Sequence, residues 1–162
     1  VVNGSCLYGA SDYVCDWLKN RLPCNPQTAI GIVKGEGLVG AIGYEHYYEE
    51  HGDVTISLYS EHPSWFSRQV FTQAFRYPFE ILKVHRVTSV VLGNNERALK
   101  LNNRLPFIQE GVRRKAYKGE HQHLFRMDES KARNSKWWTD DKPKAQKVVW
   151  VYNGDDFSLV RL

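Results

Sequence analysis

The passage from residue 53 to residue 92 constrains this chain more than any other part of it. Residues 53–59 (Asp-Val-Thr-Ile-Ser-Leu-Tyr) alternate strictly, with Val54, Ile56 and Leu58 on one face and Thr55, Ser57 and Tyr59 on the other. Residues 86–92 form a second β-branched run, which reads as a buried strand. Between them, residues 65–82 carry a helical apolar face of Phe66, Val70, Phe71, Ala74 and Phe75. Pro78 is predicted to kink or split that helix near Arg76. A strand, crossover helix and strand in succession require at least part of the sheet to be parallel.

The flanking segments extend this unit. Residues 11–22 read as a short helix, capped by Ser11 or Asp12, striped by Tyr13, Val14, Trp17 and Leu18, and stopped by Pro23 and Pro26. Residues 28–34 and 38–48 read as strands around the turn Gly35-Glu36-Gly37. A helix opened by Asn94 or Asn95 ends near Arg104, with Ala98, Leu101 and Leu105 inward, and residues 107–114 and 121–127 supply two more strands. The expected class is α/β (α+β), a mixed and mostly antiparallel central sheet flanked by helices. At 162 residues the chain has room for one domain with a real core. We expect that domain over residues 1–127 and a C-terminal extension over 128–162. In the extension, residues 148–152 are predicted to dock as an edge strand on this chain or a partner chain, with Trp137 and Trp138 packed on the body.

Composition narrows the function. No apolar run approaches the ~18 residues of a membrane span, so no membrane association is expected. The three cysteines, Cys6, Cys15 and Cys24, form neither a disulfide framework nor a zinc pattern. With no signal-type opening segment, they favour the cytoplasm. A net charge of +4 suits an anionic ligand such as a nucleotide cofactor without announcing a nucleic-acid binder. His121 and His123 share a strand face as metal ligands do, but no third ligand stands at a telling spacing, so no metal is expected.

One stretch is specific as a set: Arg86-Val87, then Asn95-Glu96-Arg97-Ala98-Leu99-Lys100-Leu101, then Leu105-Pro106-Phe107, then Glu110-Gly111-Val112-Arg113-Arg114. It resembles the second half of the GNAT superfamily of acetyl-CoA-dependent N-acetyltransferases, and most of all the ribosomal-protein N-acetyltransferase-like members, with their pattern N-x-x-A/S, L-G-F, E-G-x-x-R. Tyr77-Pro78-Phe79, with Met127, Arg133 and Trp137-Trp138 further on, is similar to a phage and bacterial branch with a Tyr-Pro-Phe step; the expected compartment is the cytoplasm, that of the host if the protein is phage-encoded. The resemblance covers about residues 28–127.

The resemblance implies the GNAT fold, with a central splay between residues 54–59 and 86–92, and transfer of an acetyl group from acetyl-CoA to a primary amine in a ternary complex. The amine belongs to a protein N-terminus, a lysine or a small molecule. Residues implied at the acetyl-CoA site are Leu58, Tyr59, Ser64, Phe66, Ser67, Arg68, Asn95, Ala98 and Asn102. Asn95 and Ala98 also read simply as a helix cap and a close-packing residue. Two departures matter. The glycine-rich phosphate turn of the family, Q/R-x-x-G-x-G/A, is replaced by residues 60–68, Ser-Glu-His-Pro-Ser-Trp-Phe-Ser-Arg, with no glycine. The family's usual acidic tyrosine, seven residues after the asparagine, is here Asn102.

For proton removal from the amine, the acidic hairpin offers Glu45, His46, Glu49, Glu50 and Asp53, and Ser57 and Tyr59 offer hydroxyls. The candidate catalytic set is Glu45, Ser57 and Tyr59; the hairpin also reads as a solvated tip. Arg97, Lys100, Arg104, Arg113, Arg114, Lys115 and Lys118 form the most basic stretch, suited either to the carrier's 3′-phosphate or to solvent. The competing function is a GNAT-fold interaction protein with a degenerate CoA loop and little or no catalysis. A nucleic-acid binder is the weakest reading, and a homodimer joined through the tail is an open alternative.

Overall fold

The computed structural model describes residues 5–7, 11–34, 37–62, 65–140, 148–152 and 157–161. Seven strands form one sheet: β1 (Ser5–Leu7), β2 (Thr28–Lys34), β3 (Gly37–Tyr48), β4 (Asp53–Ser60), β5 (Arg86–Leu92), β6 (Ile108–Tyr117) and β7 (Glu120–Asp128). Their order is β1-β2-β3-β4-β5-β7-β6, and every neighbouring pair is antiparallel except β4 with β5. The crossover between those two strands is α2 (Arg68–Arg76), continued by a π-helical turn at Tyr77–Ile81. The other helices are α1 (Ser11–Lys19), α3 (Glu96–Arg104) and α4 (Glu129–Arg133). Among the described residues no helix is long and apolar enough to cross a membrane.

The strict alternation of β4 places a core on each face of the sheet. Val54 and Ile56, with Ile30, Ile32, Ile42, Tyr44 and Val87, pack against Val70, Phe71, Ala74 and Phe75 of α2. On the opposite face α1 sets Val14 and Leu18 over Ala29 and Ala41, with Trp17 and Tyr59 at the margin. Burying each large apolar side chain contributes about 1.5–3 kcal/mol, so the Phe71–Phe75 side of α2 dominates the larger core.

The helix splits at Arg76, as expected, and the cause is visible. Pro78 has no N–H for the carbonyl of Ala74, one helical turn earlier. The buried Tyr44 hydroxyl of β3 donates to that carbonyl instead, at 2.7 Å. The chain then widens into the π turn, where the Leu82 N–H donates to the carbonyl of Tyr77 at 3.1 Å.

Three expectations are corrected. The first helix ends at Lys19 rather than at residue 22, and α2 begins at Arg68 rather than at residue 65 because the Ser67 hydroxyl caps it by accepting from the Val70 N–H. Residues 148–152 form a strand, β8 (Val148–Tyr152), but it is not an edge strand of the main sheet. It pairs antiparallel with β9 (Phe157–Arg161) in a separate two-stranded sheet, because the second run after it satisfies its backbone locally. Trp137 and Trp138 do pack on the body, with Trp138 buried in the larger core.

Tyr44→Phe is expected to destabilise the fold by about 1–3 kcal/mol, since it leaves the Ala74 carbonyl buried without that donor. Chemical denaturation measures this; an unchanged midpoint refutes the role given to the hydroxyl.

Candidate functional site

The parallel ladder between β4 and β5 runs only from Asp53↔Arg86 to Ile56↔Ser89. Beyond it β4 stays paired with β3 up to Ser60, and β5 stays paired with β7 up to Leu92. The two strands therefore part, which is the expected splay, and the wedge between them opens a cleft of about 240 Å³. Leu58, Tyr59, Val90 and Leu92 line its strand walls, Pro23 and Cys24 close the α1 side, and Asn95, Ala98 and Asn102 of α3 close the other. The cleft thus joins the two faces of the sheet.

Five of the residues expected to hold the carrier meet in this cleft: Leu58, Tyr59, Asn95, Ala98 and Asn102. Asn95 also caps α3, its side-chain oxygen accepting from the Ala98 N–H at 3.1 Å. Asn102 is buried; its side-chain amide donates to the Ala98 carbonyl at 2.9 Å, and its oxygen has no hydrogen-bond partner among the described residues. Phe66 lies outside the cleft, in a neighbouring groove. Ser67 is occupied as the α2 cap, and the Arg68 guanidinium donates to the carbonyl of Trp138 at 2.8 Å. Ser64, with Pro63, lies outside the described residues.

The acidic hairpin separates into two groups. Glu45 is buried and accepts from the Ser57 hydroxyl and from the Asn25 N–H, each at 2.9 Å. Ser57 in turn lines the cleft. Asp53, at the start of β4, is bound to Thr88 and Arg86 in a charged network that includes Glu110 and Arg126. Glu49 and Glu50 are exposed on a 3₁₀ turn beside it, at the opposite end of β4 from the cleft. A register shift between Glu45 and Tyr48, with His46 at φ 56°, marks where β3 changes course just after Glu45.

Sequence reasoning passed over the loop that completes the Glu45 side. Gly43 was its one signal: a Cβ there would stand 2.9 Å from both Leu18 Cδ1 and Pro26 Cβ, so only glycine lets this loop lie on the sheet. That close approach delivers the Asn25 amide to Glu45 and Cys24 to the cleft wall. Burial, then the Glu45 charge, pushes the Cys24 thiol up to about 11. His121 and His123, read as a histidine pair, are engaged elsewhere: His121 accepts from the Lys115 N–H and His123 meets the Gln109 amide.

No protein-family model matches the sequence, and no curated protein matches it. Solved structures do resemble it. A candidate acetyltransferase aligns with a TM-score of 0.60 at 22% identity, over 72% of this chain and 64% of its own. A second, from T. thermophilus, aligns with a TM-score of 0.58 at 23% identity, over 70% and 65%. The dodecameric spermidine N-acetyltransferase from Vibrio cholerae aligns with a TM-score of 0.60 at 18% identity, over 76% and 77%. The chain thus spans a little under two-thirds of the first two proteins, and what it shares with all three is a fold, the GNAT acetyltransferase fold with its single parallel strand pair and flanking helices.

The raised Cys24 pKa gives a signed pH dependence. Between the ordinary 9.0 and about 11 the folded chain holds a proton that the unfolded chain has released, so this thiol lowers stability as pH rises through that window. Cys24→Ala is therefore expected to lose less melting temperature than the parent between about pH 9 and pH 11. Parallel losses in the two proteins refute it.

Proposed function

We propose that the protein transfers an acetyl group from acetyl-CoA to a primary amine, in a ternary complex at the β4–β5 cleft. The observation that carries this reading is the Ser57 hydroxyl, which lines the cleft and donates to the buried carboxylate of Glu45. The carrier's arm fits between the parted strands, where the backbone of β4 beyond Ile56 has left its ladder with β5 and can polarise the thioester carbonyl. The amine enters from the α1 face, beside Cys24, Ser57 and Tyr59.

Ser57 accepts a proton from the amine while passing its own to Glu45, so the nucleophile is neutral when it attacks. The N–C bond forms, the C–S bond breaks, and the thiolate leaves. Asn102 stands where a tyrosine would donate to that thiolate, and a carboxamide is no acid at neutral pH. The thiolate therefore takes its proton from the nitrogen that has just been acylated, or from solvent. Tyr59 acts as a wall, its ring packed edge-on against Trp17 with centroids 5.8 Å apart. The likeness to a spermidine N-acetyltransferase makes small polyamines the first acceptors to try, ahead of lysine side chains and protein N-termini.

Release of free thiol from acetyl-CoA, measured across that amine panel, tests the proposal. Turnover with at least one amine is expected, with Glu45→Gln lowering kcat about 100-fold or more at unchanged acetyl-CoA affinity. Binding without turnover would favour the interaction-protein reading, to which the buried Trp65 in the glycine-free turn lends support. A Glu45→Gln variant as fast as the parent would remove Glu45 from the mechanism.

A further inference from the structure

The flank of α3 and the segment after α4 build a second feature beside the cleft. Arg97, Lys100 and Arg104 follow one another at helical spacing and so share one side of α3. With Trp65, Phe66 and Trp137 they line a groove of about 710 Å³, in which Glu96 is the one carboxylate among the described residues. The ion pairs among the described residues all involve other cations. Trp65, Arg97 and Leu101 line both the groove and the cleft, so the two are continuous.

Trp137 is held there as a fixed wall. Its indole N–H donates to the Arg104 carbonyl at 3.1 Å, and its ring stands 6.1 Å from both Phe66 and Phe71. Just beyond Trp137 the segment is fastened to α2: Arg68 donates to the Trp138 carbonyl at 2.8 Å, and the Thr139 N–H donates to the Thr72 hydroxyl at 3.0 Å. The opening of α2 is itself committed, since Ser67 holds the Val70 amide and Arg68 is turned to the tail. Cations with no carboxylate partner among the described residues, and an aromatic wall beside them, lie instead along α3.

We infer that this groove receives the nucleotide end of the acyl carrier. Its phosphates lie against Arg97, Lys100 and Arg104, and its base stacks on Trp137. The inference rests on reading the cleft as the acetyl-CoA site, but it moves the phosphate contacts from the start of α2 to the flank of α3. It also makes residues beyond Asp128 part of the binding site. Guanidinium groups match phosphate oxygens in pairs, and an indole face accepts any base by stacking.

Calorimetry on the full chain tests this with two probes, acetyl-CoA and adenosine 3′,5′-bisphosphate. Arg97→Ala and Lys100→Ala are each expected to weaken the binding of both about tenfold, as loss of one charge-assisted contact does. The triple variant with Arg104→Ala should lose more, and affinity should fall as salt rises. Binding should also change the tryptophan emission, and by clearly less in Trp137→Phe, which keeps a ring in place and leaves only Trp65 of the groove to report. Unchanged affinities in the triple variant, or no binding of either probe to the parent, overturn the inference. Bisphosphate binding without acetyl transfer leaves the groove standing and removes the proposed activity. Turnover with an unchanged acetyl-CoA KM in the triple variant does the reverse.

Discussion

The early end of the β4–β5 ladder governs everything that follows. Parallel strands joined by a crossover helix ordinarily stay paired along their shared length, and here they separate after Ile56 and Ser89. Each strand keeps its other neighbour, so the separation costs no unpaired edge on the outer sides. Only the facing edges are left open, and an open pair of strand edges inside a sheet is a slot lined with backbone donors and acceptors. The slot encloses about 240 Å³ and connects the two faces.

The two faces are built differently, and that difference gives them different chemistry. On the α1 face small residues, Ala29, Ala41 and Gly43, let a loop lie against the sheet, and the buried carboxylate of Glu45 is satisfied by an amide and a hydroxyl rather than by a cation. A carboxylate held that way keeps a directed contact to the cleft through Ser57. On the α2 and α3 face the core is aromatic, and the charges that reach its rim are mostly positive.

Much of this was legible in the residues. The alternation of residues 53–59 placed Val54, Ile56 and Leu58 on one side and Ser57 and Tyr59 on the other, and the structure sets the first three in the larger core and Tyr59 against the smaller one, with Ser57 on the cleft wall. Asn95, Ala98 and Asn102, which line the cleft, were set there by the family resemblance; by themselves Asn95 and Ala98 read equally as a helix cap and a close-packing residue. The uses of Ser67 and Arg68 were not legible. A serine before a helix and an arginine in its first turn suit a cap, an anion or a distant carbonyl equally well. What selected the carbonyl was Trp138, 70 residues away in sequence from Arg68.

Local pattern therefore determined most of the elements (β1, α4 and β9 apart), their inward faces and the break at Pro78, because each depends on backbone geometry and side-chain period over a few residues. Partners across the fold were left to tertiary packing. Tyr44 meets the carbonyl that Pro78 leaves open, Glu45 meets Ser57 and the Asn25 amide, and β8 meets β9 rather than the edge of the main sheet. Each of these depends on which groups arrive together when the sheet closes, and a hydrogen-bonding group accepts any suitable partner that the fold delivers. The sequence specified what Glu45, Arg68 and Trp137 are able to do; only the folded arrangement decided which of those capacities each one uses.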